Sequence, residues 1–183
     1  MSRQLSAHAS FKLSGTLHNT QTAVTESGAT PSHEFNFTKG LSFLNGTAAG
    51  KAQRAWSSSV RSLTSGNSET IDVYDFGSID IGAGAGLDAL GQSLALSGIK
   101  ALYIENISGS AGNLVVGNDG TTAAWNSFFS ASDTATFTLQ PGAIFLTADP
   151  TALGMAVADS TNHLLKLAAS GGDLTYKIAL IGI

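Results

Sequence analysis

The sequence predicts an all-β protein, an antiparallel β-sandwich of jelly-roll type with an N-terminal strand or arm segment. Three observations predict it. Apolar residues recur at period two along many short runs, helical periodicity is scarce, and Gly, Asn, Asp, Ser and Pro clusters separate the runs at short spacing. Many short strands without long helices between them bury their apolar faces in a sandwich or a barrel.

The elements follow in chain order. "AHASFKLSGTL" (Ala7 to Leu17) alternates, with Ala7, Ala9, Phe11 and Leu13 on one face. "HEFNFTKGLSFLNG" (His33 to Gly46) sets Phe35 and Phe37 at period two, and Gly40 is expected to break the run and shift the parity before Leu41 and Phe43. "KAQRAWSSSVRSLTSG" (Lys51 to Gly66) fits a strand or a short helix, and the Ser, Thr and Val of its second half favour strand. "SETIDVYDFGSIDI" (Ser68 to Ile81) points Ile71 and Val73 inward and Asp72 and Tyr74 outward, a pattern that Ile79 and Ile81 repeat. "GAGAGLDALGQ" (Gly82 to Gln92) reads as a flexible connection with one short turn capped by Asp88.

Beyond it, "SLALSGIKALYIENIS", "NLVVGNDGTTAAW", "ATFTLQPGAIFLTAD", "GMAVADSTNHLLKLAAS" and "DLTYKIALIGI" are strand-like in quick succession. "VGNDG" (Val116 to Gly120) and "DSTNH" (Asp159 to His163) signal hairpins or tight turns. In "QPGA" (Gln140 to Ala143), Pro141 is pre-set for the second turn position and Gly142 for positive φ. In "KALYIENISG", Leu102, Ile104 and Asn106 share one face, while Ala101, Tyr103, Glu105 and Ile107 share the other. Both faces are largely apolar, so both need cover: an opposite sheet, the N-terminal segment or a neighbouring subunit. The expected organisation is a single domain over residues 1–183, with an arm or accessory strands in 1–80 and the core sandwich in 87–183. The glycine run Gly82–Gly86 is the best internal boundary.

Composition narrows the function classes. The charged share is 12% and the net charge −4, while Ser and Thr together number 41 and Gly 21. That charged share is about half the usual one. A surface of Ser, Thr, Asn and Gly suits packing against copies of the chain or a larger assembly, because interface cores are depleted in Lys, Glu and Asp. The chain has no cysteine, which removes disulfides, thiolate metal sites and Cys nucleophiles. No apolar run approaches the roughly 18 residues of a spanning helix, and "MSRQLSAHASFKLSG" has no long apolar leader segment, so neither a membrane span nor a signal peptide is expected. The nine Lys and Arg are scattered, against a nucleic-acid partner.

Each chemical motif has a plainer structural reading. Gly84-x-Gly86-x-x-Ala89 matches the relaxed dinucleotide pattern, with Glu105 about 20 residues on. The pattern needs a helix N-terminus at the pyrophosphate, and Gly91 and Gly98 interrupt that helix, so no cofactor is expected. Asp72, Asp75 and Asp80, and the oxygen-rich "GNDGTT" (Gly117 to Thr122), read as turn residues rather than a calcium loop. His8, His18, His33 and His163 lack metal-ligand spacing and read as surface histidines. No G-x-S-x-G elbow occurs, and a glycosidase needs two carboxylates where Glu105 stands alone. The chain is therefore expected to be non-enzymatic. The candidate contact residues are Trp56, Trp125, Phe128, Phe129 and Glu105. The aromatic cluster in "AAWNSFFS" either presents an apolar patch to a partner or caps the core. Glu105 is a candidate for a hydrogen bond to a turn or a neighbouring subunit.

The order "FLNGTAAGKAQRAWSSSVRSLTSGNSETIDV", "GLDALGQSLALSGIKALYIENISGSAGNLVVG", "LQPGAIFLTADPT" and "HLLKLAASGGDLTYKIALIGI", covering Phe43 to Ile183, resembles small β-rich virion proteins of tailed bacteriophages. None of these stretches is a catalytic motif. The resemblance implies a β-sandwich used in assembly and carries over no individual functional residue. The expectation is a capsid decoration or cement protein, a homotrimer on the outer surface of the phage head, bound to the major capsid protein. The alternative is a tail, fibre or baseplate component that binds another tail protein or a host glycan, with aromatics such as Trp125 stacked on sugar rings.

Overall fold

The computed structural model describes residues 4–18, 32–77, 79, 86–88, 91–107, 109–117, 120–127, 129 and 134–183. Among them the chain forms strands and turns and no helix, and its sheets are antiparallel apart from one short parallel pairing.

Two long strands open the chain, β1 (Ala7–His18) and β2 (Ser32–Asn45), paired in register from Ala7↔Phe43 to His18↔Ser32. The short β3 (Lys51–Ala52) pairs with the end of β2 in parallel. The pairing has no bulge at Gly40, which lies opposite Ser10. Gly40 therefore does not shift the parity: Phe35, Phe37, Lys39, Leu41 and Phe43 stay on one face, as successive odd positions must.

The main body has two sheets. The first is ordered β10-β7-β13-β4, where β4 is Arg54–Ser57, β7 Gly98–Asn106, β10 Ile144–Ala148 and β13 Leu174–Gly182. Two short strands extend it: β5 (Arg61–Leu63) pairs with β13, and β11 (Met155–Ala156) with β7. The second is ordered β6-β12-β8-β9, with β6 Ser68–Asp72, β8 Asn113–Gly117, β9 Thr136–Leu139 and β12 Leu164–Ser170. Inward residues of both sheets form one core: Leu102, Ile104, Ile178 and Leu180 from the first, and Ile71, Leu114, Val116, Leu165 and Leu167 from the second. The predicted inward positions Ile71, Val73 and Ile79 are buried there.

The division of the chain differs from the expected one. β4, β5 and β6 are full members of the two main sheets, so 54–77 belongs to the body, and only the β1–β2 ribbon with the short β3 is accessory. The weak alternation of "KAQRAWSSSVRSL" hid this, because its body strands have only three or four residues each. "QPGA" forms its turn as expected, closed by Ala143 N to Gln140 O at 2.9 Å with Gly142 at φ +81°. "DSTNH" is also a tight turn, with Ala158 bridged to Asn162. No short hairpin loop joins β8 to β9, since β8 ends at Gly117 and β9 starts at Thr136, and the connection between them carries Trp125 into the core; Asn118 and Asp119 of "VGNDG" lie outside the described residues.

Gly98, at the start of β7, marks a close approach. A Cβ there would lie 1.9 Å from the carbonyl oxygen of Leu153, a backbone atom beside β11. We predict that Gly98→Ala destabilises the fold by about 1–3 kcal/mol, as overpacked core sites do. Denaturant unfolding of the variant checks this.

Candidate functional site

The outer face of the first sheet is built in rows by strand register. Ala148, Ala101 and Ile181 form one row, Leu146, Tyr103 and Ala179 the next, and Ile144, Glu105 and Lys177 the third. The ribbon covers the first row, where Ala9, Phe43 and Ala52 pack with Ala101, Ala148 and Ile181. The third row is open, and Ile144 is 58% exposed. Between ribbon and sheet lies a cavity of about 890 Å³, with Phe11, Leu13, Phe37, Tyr103, Ile144 and Leu146 in its lining.

Glu105 stands beside this groove. Its Oε2 accepts a hydrogen bond from the Tyr103 hydroxyl at 2.7 Å. Burial first, and then the Glu105 hydrogen bond and charge, push the Tyr103 hydroxyl up to about 12. Catalysis by paired carboxylates needs a second acid facing the first, and the residues lining the groove include none. The lining instead combines apolar side chains with Lys12 and Lys39.

The other predicted contact residues lie away from this groove. Trp125 is fully buried in the body core and its Nε1 donates to Ala156 O at 2.9 Å. It caps the core, and the patch reading fails at this residue. Asn162 ties the same corner: its Nδ2 donates to Ser127 Oγ at 2.7 Å and Ala156 O at 3.0 Å, and its Oδ1 accepts from Asn126 N at 2.6 Å. Trp56 is also core, stacked on Phe76 with ring centroids 4.2 Å apart, so it presents no surface to a partner. Phe129 is half-buried and stacks on Phe137 at 5.8 Å. Phe128 lies outside the described residues.

The decoy motifs resolve into local structure. Residues 82–85, 89 and 90 lie outside the described residues, and Asp88 Oδ1 accepts from Gln92 N at 2.8 Å. Asp75 Oδ1 caps Gly77 N at 2.7 Å and Asp72 Oδ1 caps Tyr74 N at 2.9 Å, while Asp80 lies outside the described residues. His8 sits on the polar face of the ribbon beside Ser42 Oγ, at 3.1 Å. His163 is not a free surface histidine: it is half-buried, with Nδ1 2.9 Å from Asp72 Oδ2. The side chains of His18 and His33 lie outside the described set.

Three polar arrangements escape sequence reading. Lys100 is fully buried, and its ammonium donates to the carbonyls of Thr151 and Ala152. The β7–β13 register explains it. Ala101 opposes Ile181 and Ile99 opposes Gly182, so Lys100 is the extra residue of a bulge. A bulge re-aims its side chain, here onto the 149–154 loop. Burial pulls this ammonium below the ordinary lysine range, against the pull of Asp149. Asn106 is buried at the other end of β7, and its Nδ2 donates to Gly112 O at 3.0 Å and Leu139 O at 2.9 Å. Arg61, Glu69 and Tyr176 join the two sheets: Arg61 Nη2 lies 2.5 Å from Glu69 Oε2, Arg61 Nε donates to the Tyr176 hydroxyl at 3.1 Å, and that hydroxyl donates to Glu69. The hydrogen bond to Glu69 raises the Arg61 pKa, and burial, then Glu69, raises that of Tyr176. The Asn106 face was legible from alternation, but the bulge and the Arg61–Glu69–Tyr176 contact depend on pairings distant in sequence.

Comparison of the chain with protein-family models, with curated proteins and with solved structures returns no match.

Two predictions follow from these networks. Glu69→Gln leaves a half-buried guanidinium facing a neutral amide, so it costs about 1–3 kcal/mol in chemical denaturation. The second concerns pH. Tyr103 titrates near 10 when unfolded and about 12 when folded, so its contribution to stability is full below about pH 10 and is lost as pH rises toward 12. Lys100 acts in the opposite sense, because a lowered folded pKa makes burial less costly as pH rises. Tyr103→Phe leaves the Lys100 contribution in place and removes the Tyr103 one, so stability falls less steeply over that window than in the wild type. Denaturant midpoints measured across it check the difference in slope.

Proposed function

We propose that this chain is a non-enzymatic structural protein of a tailed-phage virion, a decoration protein bound on the outer surface of the head between major capsid subunits. The observation that carries the reading is the ribbon. A body in which Asn106, Arg61, Glu69 and Tyr103 make internal polar contacts carries a two-stranded extension with an open apolar face. Leu13 is 65% and Phe37 67% exposed there. Exposed apolar surface on a low-charge body is the mark of a protein that works by contact.

The body reads as a jelly-roll sandwich. The order β4-β13-β7-β10 beside β6-β12-β8-β9 is the one that two interleaved four-strand Greek keys produce, and the shared core supports two facing sheets. Fold alone does not assign function, so the proposal rests on the ribbon, the composition and the resemblance of the sequence to phage virion proteins. Several weak contacts to neighbouring capsid subunits at once give a decoration protein its hold through multivalency. The glycan form of the tail-component reading loses Trp125 as its stacking residue, because Trp125 is buried.

Mass spectrometry and cryo-electron microscopy of intact particles test the proposal. The expected result is the chain present in many copies with density on the head lattice, and heads that lack it releasing their genome at a lower temperature. Absence from particles, or density confined to the tail, overturns it.

A further inference from the structure

The ribbon's apolar face is one continuous surface in two halves. By register its paired positions are Ala7/Phe43, Ala9/Leu41, Phe11/Lys39, Leu13/Phe37 and Gly15/Phe35. The near half is seated on the body, where Ala9 and Phe43 are buried against Ala101. The far half continues the same face along the groove, and among the described residues its Leu13 and Phe37 stay exposed. Phe35 lies across Gly15, where an added Cβ would be 2.7 Å from the ring, and Phe35 and Phe37 are tilted neighbours at 6.2 Å. An isolated two-stranded hairpin is marginal in water and needs a third strand or a packed face.

The chain carries both sides of the contact that would satisfy this need. One side is the ribbon face, with Lys39 set among its apolar residues. The other is the groove wall of Ile144, Leu146 and Tyr103, with Glu105 beside it. Among the described residues Glu105 has the Tyr103 hydroxyl as a partner and forms no ion pair. Two complementary surfaces on one chain are what a closed symmetric oligomer uses. Lys12 and Lys39 are in the groove lining and no acid is, so Glu105 of the partner subunit would bring a carboxylate to Lys39 at this contact.

We propose that a second copy of this chain covers the far half of the ribbon: the ribbon of one copy enters the groove of the next, burying Leu13, Phe35 and Phe37 against Ile144 and Leu146, with Lys39 directed to Glu105 of the partner subunit. This deepens the virion reading by naming a self-contact, and it stands or falls on the purified chain, apart from any particle.

Sedimentation velocity of the full chain over a wide concentration range tests it. The wild type associates, and Leu13→Ser and Phe37→Ser each weaken association roughly ten- to a hundredfold with an unchanged circular dichroism spectrum, since both side chains are exposed in the single copy. Lys39→Glu and Glu105→Lys each weaken it, and the double variant recovers it. A monomer at every concentration overturns the proposal, as does an oligomer indifferent to Phe37→Ser or a double variant no better than the singles. Particle mass spectrometry decides the virion reading separately, so the two failures are distinguishable.

Discussion

The structure depends on β7 being covered on both faces. Leu102 and Ile104 face the core shared by the two sheets, while Ala101 and Tyr103 face outward under the ribbon. The strand also pairs on both edges, with β13 along one and β10 and β11 along the other. Its backbone groups are therefore satisfied by neighbours in the plane, and its side chains by layers above and below. A buried side chain of the Leu or Ile size contributes about 1.5–3 kcal/mol, so a strand that buries residues on two faces concentrates stability. The near half of the ribbon is held because β7 offers it an apolar outer face. The far half reaches past the covered row and stays open.

Polar groups close the ends of this layered body. Asn106 pins the turns at one end of β7, and Lys100 pins the 149–154 loop at the other. The Arg61–Glu69–Tyr176 contact ties β5 and β13 of one sheet to β6 of the second. Trp125 and Asn162 seal a further corner through the Ala156 carbonyl. Burying a charged or polar group without partners costs several kcal/mol, and here those groups are used to fix loops.

Alternation made much of this legible before the structure. The two faces of "KALYIENISG", the inward Ile71 and Val73, the odd-numbered apolar face of β1 and the Pro-Gly turn follow from period two and turn chemistry alone. The rest depends on contacts that a linear pattern does not carry. Trp125 lies in a turn-rich stretch, and only the long β8–β9 connection folding inward makes it core. By parity Lys100 falls on the inward face of Leu102 and Ile104, and only the bulge against β13 turns it onto the 149–154 loop. The body strands β4 and β5 are too short to show a period, so the boundary was expected near residue 80, although the ribbon ends near residue 45. At the candidate site, Glu105 was visible from sequence. Its groove was not, because the wall across from it comes from Leu13 and Phe37, far away in the chain.

Native-state hydrogen exchange, resolved by residue, tests the central role of β7 most directly. Amides of a strand buried on both faces and paired on both edges open only with global unfolding, whereas a ribbon held at one end opens locally. The account predicts that Leu102, Tyr103 and Ile104 exchange with the full unfolding free energy, that the ribbon near Ala9 and Phe43 exchanges more readily, and that Leu13 and Phe37 exchange most readily of all. Exchange of the β7 amides as fast as those of the edge strand β9, or ribbon-tip amides as protected as β7, would contradict it.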